Sequence, residues 1–209
     1  MQYPDSLHCH TDYSNLRLRD AITTVDNLMD YAIKLGHEVL AYTEHESVSN
    51  AINIQEAYAK RKEENPNFKV ILGNEIYLCR DGLDSENFNP EEDRYFHFIL
   101  LAKDAIGHQQ IREISTRAWK RSYMARGMRR VPTYYQDLKD IIYKNQGHVI
   151  GSTACLGGHI PSQLLKYRQA GDENIYKHVI RWCKSMVKLF GEGTFFLKCN
   201  LPAMKNKFM

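Results

Sequence analysis

Short apolar runs alternate with longer segments of helical periodicity along the chain. The apolar runs predict strands at 3–9, 38–43, 69–78, 95–102, 148–152 and 194–199. Between them, apolar residues recur at intervals of three and four, which predicts helices at 25–35, 48–62, 104–120, 133–145 and 174–190. This alternation is typical of a parallel α/β fold. It is compatible with a closed barrel and with an open doubly wound sheet.

The composition is that of an ordinary globular protein. Of 209 residues, 43% are hydrophobic and 25% charged, and the net charge of +3 is too small to indicate a nucleic-acid partner by itself. No apolar run reaches the roughly 18 residues of a membrane span, and the first residues lack the features of a secretion signal. Five cysteines without a C-x-x-C pair argue against a disulfide framework. We therefore expect one soluble, cytoplasmic domain.

Residues with metal-binding side chains follow the ends of two predicted strands. His8 and His10 are two positions apart in an extended segment, so both imidazoles project from one face. The run at 38–43 is followed by Glu44, His45 and Glu46. Because sites in α/β folds collect at the carboxyl ends of the strands, these side chains should converge.

Three further candidates each have a structural alternative. Glu75 lies within an apolar strand, where a buried carboxylate needs either a metal ion or a salt bridge to a lysine or arginine. His97 precedes an apolar run and is either a ligand or a neutral core histidine. Cys155 either offers a thiolate to a borderline metal or packs as an inert thiol. Together these donors, on separate strands of one parallel array, suggest more than one divalent ion of the Zn, Mn or Fe kind.

In order and spacing, these residues resemble the motifs of the PHP (polymerase and histidinol phosphatase) superfamily. The matching segments are HCHT at 8–11, TEHE at 43–46, GNE at 73–75, His97 and STACL at 152–156. The segments YSNLRLRDAI, HFILLAKDAIGHQQIREIST and ACLGG are similar to the N-terminal PHP domain of bacterial DNA polymerase III alpha subunits. The similarity covers nearly the whole chain.

The resemblance implies a distorted seven-stranded (β/α) barrel of the TIM type, with up to three divalent ions in the cleft at its carboxyl end. The metal ligands that it implies are His8, His10, Asp20, His45, Glu75, His97 and Cys155. Glu75 would bridge two ions and would act in catalysis with His8 and His10. Asp20 enters through the alignment of RLRDA with a leucine-aspartate pattern, and Glu44 stands where the family has aspartate.

The family's last motif, an aspartate and a histidine two positions apart after a seventh strand, has no counterpart in this sequence. The chain instead runs LKCNLPAMKNKFM from 197 onwards. We therefore expect an incomplete PHP domain at 1–200, truncated before its last strand, followed by an aberrant tail at 201–209.

The activity that the resemblance implies is metal-dependent phosphoester hydrolysis. In the polymerase relatives this would be 3′ to 5′ exonuclease chemistry of the proofreading type during DNA replication. The implied partners are DNA, the remainder of the alpha chain and replisome subunits, with no membrane. Two alternatives stay open: a stand-alone phosphatase similar to histidinol phosphatase, and a non-catalytic scaffold with an incomplete metal site. Nothing in the sequence resembles the palm-domain carboxylates that polymerase activity requires.

A basic segment at 116–136 contains no carboxylate and is interleaved with aromatic residues. Its cations, which we predict to contact single-stranded DNA, are Arg117, Lys120, Arg121, Arg126, Arg129 and Arg130. The alternatives are a solvated loop and a surface that packs on the rest of a polymerase. Gly127 and the absence of periodicity predict a mobile loop here.

Overall fold

A curled, seven-stranded mixed sheet forms the centre of the molecule. The computed structural model describes residues 5–125, 127–171 and 174–198. The sheet runs in the order β1 (Ser6–Cys9), β2 (Val39–Tyr42), β3 (Lys69–Cys79), β4 (Phe96–Ala102), β8 (Val149–Thr153) and β9 (Phe195–Phe196), and β7 (Pro132–Tyr134) pairs with β3. A separate hairpin consists of β5 (Tyr123–Ala125) and β6 (Met128–Arg130). The helices are α1 (Val25–Lys34), α2 (Ala51–Ala59), α3 (Ala105–Lys120), α4 (Tyr135–Leu138), α5 (His159–Ala170) and α6 (Ile175–Phe190).

The predicted strands are present, but the prediction of one parallel array is wrong. β4 runs antiparallel to both neighbours, β3 and β8, whereas the remaining pairs of the main sheet are parallel. The connection from β3 to β4, residues 80–95, contains no helix. A parallel pair needs a crossover connection, usually a helix, so this polar segment favours the antiparallel arrangement.

Two local predictions also need correction, and one helix was missed. The helix predicted at 133–145 begins as strand β7, and α4 continues as a π-helix at Lys139–Tyr143. The loop predicted within 116–136 is occupied by the end of α3, the β5–β6 hairpin and β7. Helix α5 was not predicted, because it buries none of its side chains fully and its apolar periodicity is correspondingly weak.

Alternate residues of the strands divide the sheet into a helix-covered convex face and a concave face. On β4, Phe98 and Leu100 pack with α3, α4 and α6 in the largest core cluster. Ile99 and Leu101 point the other way and pack with Ala41 and other residues of the concave face. Each fully buried side chain of this size contributes about 1.5–3 kcal/mol. The concave face is where the candidate ligands project.

The sheet closes only part of a barrel within the described residues. β1 and β9 are its two edges, and Lys198 Nζ lies 3.2 Å from His8 Nδ1 across the gap between them. This curled half-barrel is the expected α/β architecture of the barrel type, and the described part ends before residue 199. Within the described ranges, no helix has both the length and the hydropathy needed to cross a membrane.

Candidate metal centre

The candidate ligands meet at one edge of the sheet because β3 extends beyond β2. β2 ends at Tyr42, and the chain that follows stays beside β3 long enough for His45 to form a parallel bridge with Glu75. His8 and His10 lie at the end of β1, the next strand. Strand-end residues from three adjacent parallel strands therefore share one site, as the sequence predicts.

The reversed direction of β4 explains the unusual position of His97. His97 lies at the start of β4 and pairs with Tyr77, near the carboxyl end of β3. In an antiparallel strand the amino end reaches the edge where the parallel strands end. His97 therefore enters the same site although it precedes its apolar run rather than ending it.

Glu75 lies at the centre of the site and is 1% exposed. Its Oε1 is 3.4 Å from His8 Nε2 and 3.0 Å from His97 Nδ1. Its Oε2 is 3.4 Å from His10 Nε2 and 2.6 Å from His45 Nδ1. Among the described residues no lysine or arginine pairs with Glu75, so the alternative of a salt bridge to such a residue is not realised. Four imidazoles surround this one carboxylate instead.

Donor atoms fall into two groups that share Glu75. The first group is His8, His10 and Glu75, and the second is Glu75, His97 and Cys155; within each, the donor atoms lie within 4.8 Å of one another. Cys155 Sγ is 3.4 Å from His97 Nδ1. Oε1 of Glu75 lies close to His8 of the first group and to His97 of the second, so this carboxylate is in reach of both groups.

Asp20 joins the cluster through His45. Asp20 Oδ2 lies 3.0 Å from His45 Nε2, so the aspartate found by the RLRDA alignment is beside the site. Its carboxylate is 45% exposed, whereas the His45 side chain is 5% exposed. All seven residues predicted as ligands thus form one connected cluster, although their metal coordination stays a prediction.

The electrostatics of the cluster separate its titratable groups. Burial, reinforced by the charge of His45, lowers the pKa of His10 to about 4. Burial opposes protonation of His97 as well, but hydrogen bonds with Cys155 and Glu75 outweigh it and raise the pKa of His97 to about 9. The hydrogen bond from His97 lowers the pKa of Cys155. The thiol therefore has increased thiolate character, which metal coordination requires.

The surroundings of Glu75 fit a cation. Burial would raise the pKa of this carboxyl, but the close contacts with His45, His8 and His97 lower it strongly, so Glu75 is ionised. Its Oε2 nevertheless has no hydrogen bond of acceptable geometry among the described residues. A buried acceptor left in this state costs about 1–3 kcal/mol, which a bound cation would offset. The nitrogen, oxygen and sulfur donors together suit divalent metals.

Ser14 and Glu44 orient His10, a role that the sequence analysis missed. The Ser14 hydroxyl donates to Glu44 Oε2 at 2.5 Å and lies 3.1 Å from His10 Nδ1. Since its only proton goes to the carboxylate, Ser14 must accept from His10 Nδ1. His10 then carries its proton on Nδ1 and presents a lone pair on Nε2, the atom that faces Glu75. Outer partners of this kind fix the tautomer of metal-binding histidines.

Glu44 itself is held by donors rather than by the site. Besides Ser14, its carboxylate accepts hydrogen bonds from the Thr11 amide (2.9 Å), the Thr11 hydroxyl (2.7 Å) and the Asn50 amide group (2.7 Å). These contacts tie the segment after β1 to the segment after β2. The sequence contains one signal for this role, since Glu44 immediately precedes His45 at the end of a strand.

His45 is held in place by contacts with Tyr77, which in turn contacts Arg17. The Tyr77 hydroxyl is 3.1 Å from His45 Nδ1, and the Arg17 guanidinium lies 4.8 Å from the centroid of the Tyr77 ring. Arg17 donates to Glu46 Oε2 at 2.9 Å in a buried ion pair. Glu46 adopts a φ of 53°, a conformation that residues with a side chain rarely adopt, and the Trp119 indole donates to its carbonyl at 2.6 Å. Sequence patterns gave no indication of this arrangement.

Two arginines of the predicted DNA-binding segment are engaged by carboxylates. Arg121 donates to both oxygens of Asp137 at 2.6 and 2.8 Å. Arg117 lies 2.6 Å from Glu113 and 3.4 Å from Asp140. These acidic residues flank 116–136 in the sequence, so the absence of carboxylates within the segment did not leave Arg117 and Arg121 unpaired.

The other four cations of this segment have different surroundings. Arg129 donates to the Ser122 hydroxyl at 3.1 Å, and Arg130 lies 5.3 Å from the centroid of the Tyr95 ring. Lys120 is exposed at the end of α3, and Arg126 lies outside the described residues. DNA contact by this group stays a prediction, with Arg117 and Arg121 weakened as contributors.

Comparisons with known proteins agree with the motifs. Residues 6–201 match the model of the PHP domain family. The chain is 36% identical over 215 positions to a DNA-directed DNA polymerase of Bacillus phage SPbeta, covering 96% of this chain and 16% of the relative. It is 27% identical over 194 positions to the DNA polymerase III subunit alpha of Treponema pallidum, covering 92% of this chain and 14% of the relative.

The comparison with solved structures finds a metal-dependent phosphoesterase from Bifidobacterium adolescentis. The alignment covers 56% of this chain and 35% of that chain, with 19% sequence identity and a TM-score of 0.35. The chain spans less than one-fifth of the length of the two polymerase relatives. Because the family model extends over residues 6–201 and the motif residues converge as described, this protein belongs to the PHP domain family.

Proposed function

We propose that this domain is a metal-dependent phosphoesterase that removes nucleotides from the 3′ end of DNA. The observation that carries the proposal is Glu75, a buried and ionised carboxylate shared by two groups of donor atoms. The ions that suit these donors are Zn, Mn or Fe, up to three in a complete site. When bound, such ions lower the pKa of a coordinated water and neutralise charge on phosphate oxygens.

Each part of the cluster has a distinct role in this proposal. Glu75 would be shared by two bound cations. His8 and His10 complete one group, and His97 and Cys155 complete the other. Asp20 and His45 are available to a third ion at the exposed side of the cluster. Hydrolysis of this type needs no side-chain nucleophile, so the protein's contribution is to position the donors and the substrate.

A cleft beside His8 supports the proposal that the substrate is a nucleic acid, because it can hold the nucleotide next to the cleaved phosphoester bond. This cleft has a volume of about 510 Å³ and is lined by apolar side chains of the concave face, including Leu7, Ile99 and Phe196, and by the charged side chains of Asp5 and Lys198. Pockets for small ligands have volumes of about 300–1,000 Å³ with mainly apolar walls and few polar groups. The walls can accept a base and sugar, and Lys198 can contact a phosphate.

The polymerase relatives indicate the biological setting that we propose. The domain would act within a replicative polymerase alpha chain in the cytoplasm, with DNA, the remainder of that chain and replisome subunits as partners. A stand-alone phosphatase acting on small phosphomonoesters and a non-catalytic scaffold are the competing assignments, and they predict different results in one experiment.

The experiment combines metal analysis with two substrates. Purified protein loaded with Zn, Mn or Fe is assayed on a 3′-labelled oligonucleotide and on histidinol phosphate, and bound metal is measured by mass spectrometry. The variants are Glu75→Gln and His8→Ala, with Glu91→Gln, an exposed glutamate of the 80–95 segment, as the matched control. We expect loss of metal and of oligonucleotide hydrolysis in the first two variants only, with folding retained.

Other outcomes would redirect the assignment. Turnover of histidinol phosphate without oligonucleotide hydrolysis would select the stand-alone phosphatase. Absence of bound metal in the wild-type protein would select the scaffold. Full metal content and unchanged hydrolysis in both site variants would refute the site.

A further inference from the structure

Helix α6 carries a row of four exposed cations on one face. Lys177, Arg181, Lys184 and Lys188 are spaced by four, three and four residues and are all exposed. At a rise of 1.5 Å per residue, this spacing places them along about 16 Å of one helix face. We call these four residues the α6 basic stripe.

No carboxylate neutralises the α6 basic stripe within the described residues. Glu192 follows Lys188 by four positions but forms no ion pair with it, and Asp172 and Glu173 lie outside the described part of the chain. Lys177 Nζ is 3.0 Å from the uncharged side-chain oxygen of Asn174. Arg121, by comparison, has its charge neutralised by both oxygens of Asp137.

Apolar and aromatic side chains lie beside these cations on the same exposed surface. Tyr176 is 70% exposed, Ile180 is 52% exposed and Val187 is 40% exposed. They follow the helical spacing of the neighbouring row. Two further exposed cations, Lys166 and Arg168, come from α5, which packs against α6.

The buried side of α6 separates this surface from the metal centre. Met186, Leu189 and Phe190 of α6 belong to the core cluster on the convex face of the sheet. The donor atoms around Glu75 belong to the concave face. Binding at the α6 basic stripe is therefore independent of metal binding and of the proposed hydrolysis.

We propose that the α6 basic stripe binds single-stranded DNA. A row of uncompensated cations favours a polyanion, because neutralising its phosphates releases counterions. An unpaired strand also exposes its bases, which stack on an aromatic side chain such as Tyr176, whereas the bases of a duplex are already stacked on each other. An acidic protein would satisfy the charges but offers no bases to this ring.

The test measures binding of the full 209-residue chain in the presence of a chelator, so that hydrolysis does not contribute. The probe is a fluorescein-labelled oligo-dT of about 12 nucleotides, a length within the range of single-strand binding sites. Anisotropy gives the dissociation constant between about 50 and 200 mM salt. Each phosphate contact on a single strand contributes about 0.7 to the slope of log affinity against log salt.

The variant that tests the stripe changes all four of its cations to glutamine. The matched control changes four other exposed lysines, Lys34, Lys60, Lys62 and Lys69, to glutamine, so the net charge changes equally. We expect the stripe variant to reduce the slope by about 2.8, four contacts at about 0.7 each, while the control keeps most of the wild-type slope. Circular dichroism checks that both variants are folded.

A second pair of variants tests stacking. Tyr176→Ala should weaken binding about 5-fold or more, as expected for loss of one stacked base. Tyr31→Ala removes a tyrosine of α1 that is 58% exposed and should leave binding unchanged.

Four results would overturn the proposal. The first is an equal salt slope of the affinity for the stripe and control variants, and the second is no DNA binding at 50 mM salt. The third is tighter binding of duplex than of single-stranded DNA, with no effect of Tyr176→Ala. The fourth is displacement of the oligonucleotide by poly-glutamate at equal charge concentration. The last two would assign the surface to duplex DNA or to an acidic protein.

Discussion

Removing the Ser14 hydroxyl should weaken metal binding through His10 without removing a ligand. In Ser14→Ala, His10 Nδ1 loses its acceptor at 3.1 Å, so the tautomer that directs the Nε2 lone pair into the site is no longer fixed. Loss of such a partner typically costs 10–100-fold in metal affinity. That range corresponds to about 1.4–2.8 kcal/mol.

The same substitution removes two further hydrogen bonds, whose effects on stability have to be separated from the effect on metal binding. Glu44 loses the donor at 2.5 Å, and the His45 amide loses its acceptor at 3.1 Å. A hydrogen bond to a charged group contributes about 1.5–3 kcal/mol, so the free energy of unfolding should fall by a similar amount. Thr11→Val is the matched control, because it also removes one hydroxyl donor to Glu44, at 2.7 Å, while within the described residues no hydrogen bond joins Thr11 to an imidazole.

The assay measures both quantities. Protein stripped of metal is titrated with Zn²⁺ against a chromophoric chelator, and urea unfolding in excess chelator gives the stability of the metal-free form. We expect both variants to lose stability and only Ser14→Ala to lose the full 10–100-fold in affinity. Equal affinities for the two variants, or an affinity of Ser14→Ala equal to wild type, would refute the role of Ser14 in orienting His10.

Three further predictions concern pH, packing and the paired arginines. In metal-free protein, an NMR titration should show that His97 loses its proton near pH 9. Because the pKa of His97 is raised in the folded state, its contribution to stability is complete below the unfolded pKa near 6.5 and is lost as pH rises through about 9. A His97 titration near pH 6.5 would contradict the site geometry. Gly107→Ala should destabilise the protein strongly in thermal unfolding, because the added Cβ would lie 2.0 Å from the carbonyl oxygen of His148; an unchanged melting temperature would contradict this packing of α3. Arg121→Ala should cost about 1.5–3 kcal/mol in urea unfolding, because the buried Asp137 carboxylate loses its bidentate partner and keeps the Tyr134 amide at 2.9 Å and Arg117 at 3.9 Å; DNA affinity should change less than in the α6 variant.

The local pattern of the sequence determined most elements and the ligand positions. Strand periodicity placed Glu75 and His97 in extended segments, and the ends of two apolar runs marked His10 and His45. These inferences succeed because side-chain alternation and strand ends depend on residues close together in the chain. Helix α5 was missed because none of its side chains is fully buried, so its sequence has only a weak apolar pattern.

Strand direction and the pairing of charges were decided by the tertiary structure. The apolar pattern of β4 does not indicate whether the strand runs parallel or antiparallel to its neighbours. Its antiparallel pairing with β3 and β8 explains why His97 reaches the site from the start of its strand. Likewise, Arg121 is neutralised by a carboxylate 16 positions away, whereas the α6 basic stripe is not neutralised by any described residue. Coulombic interactions depend on distance in space, and composition along the chain does not give that distance.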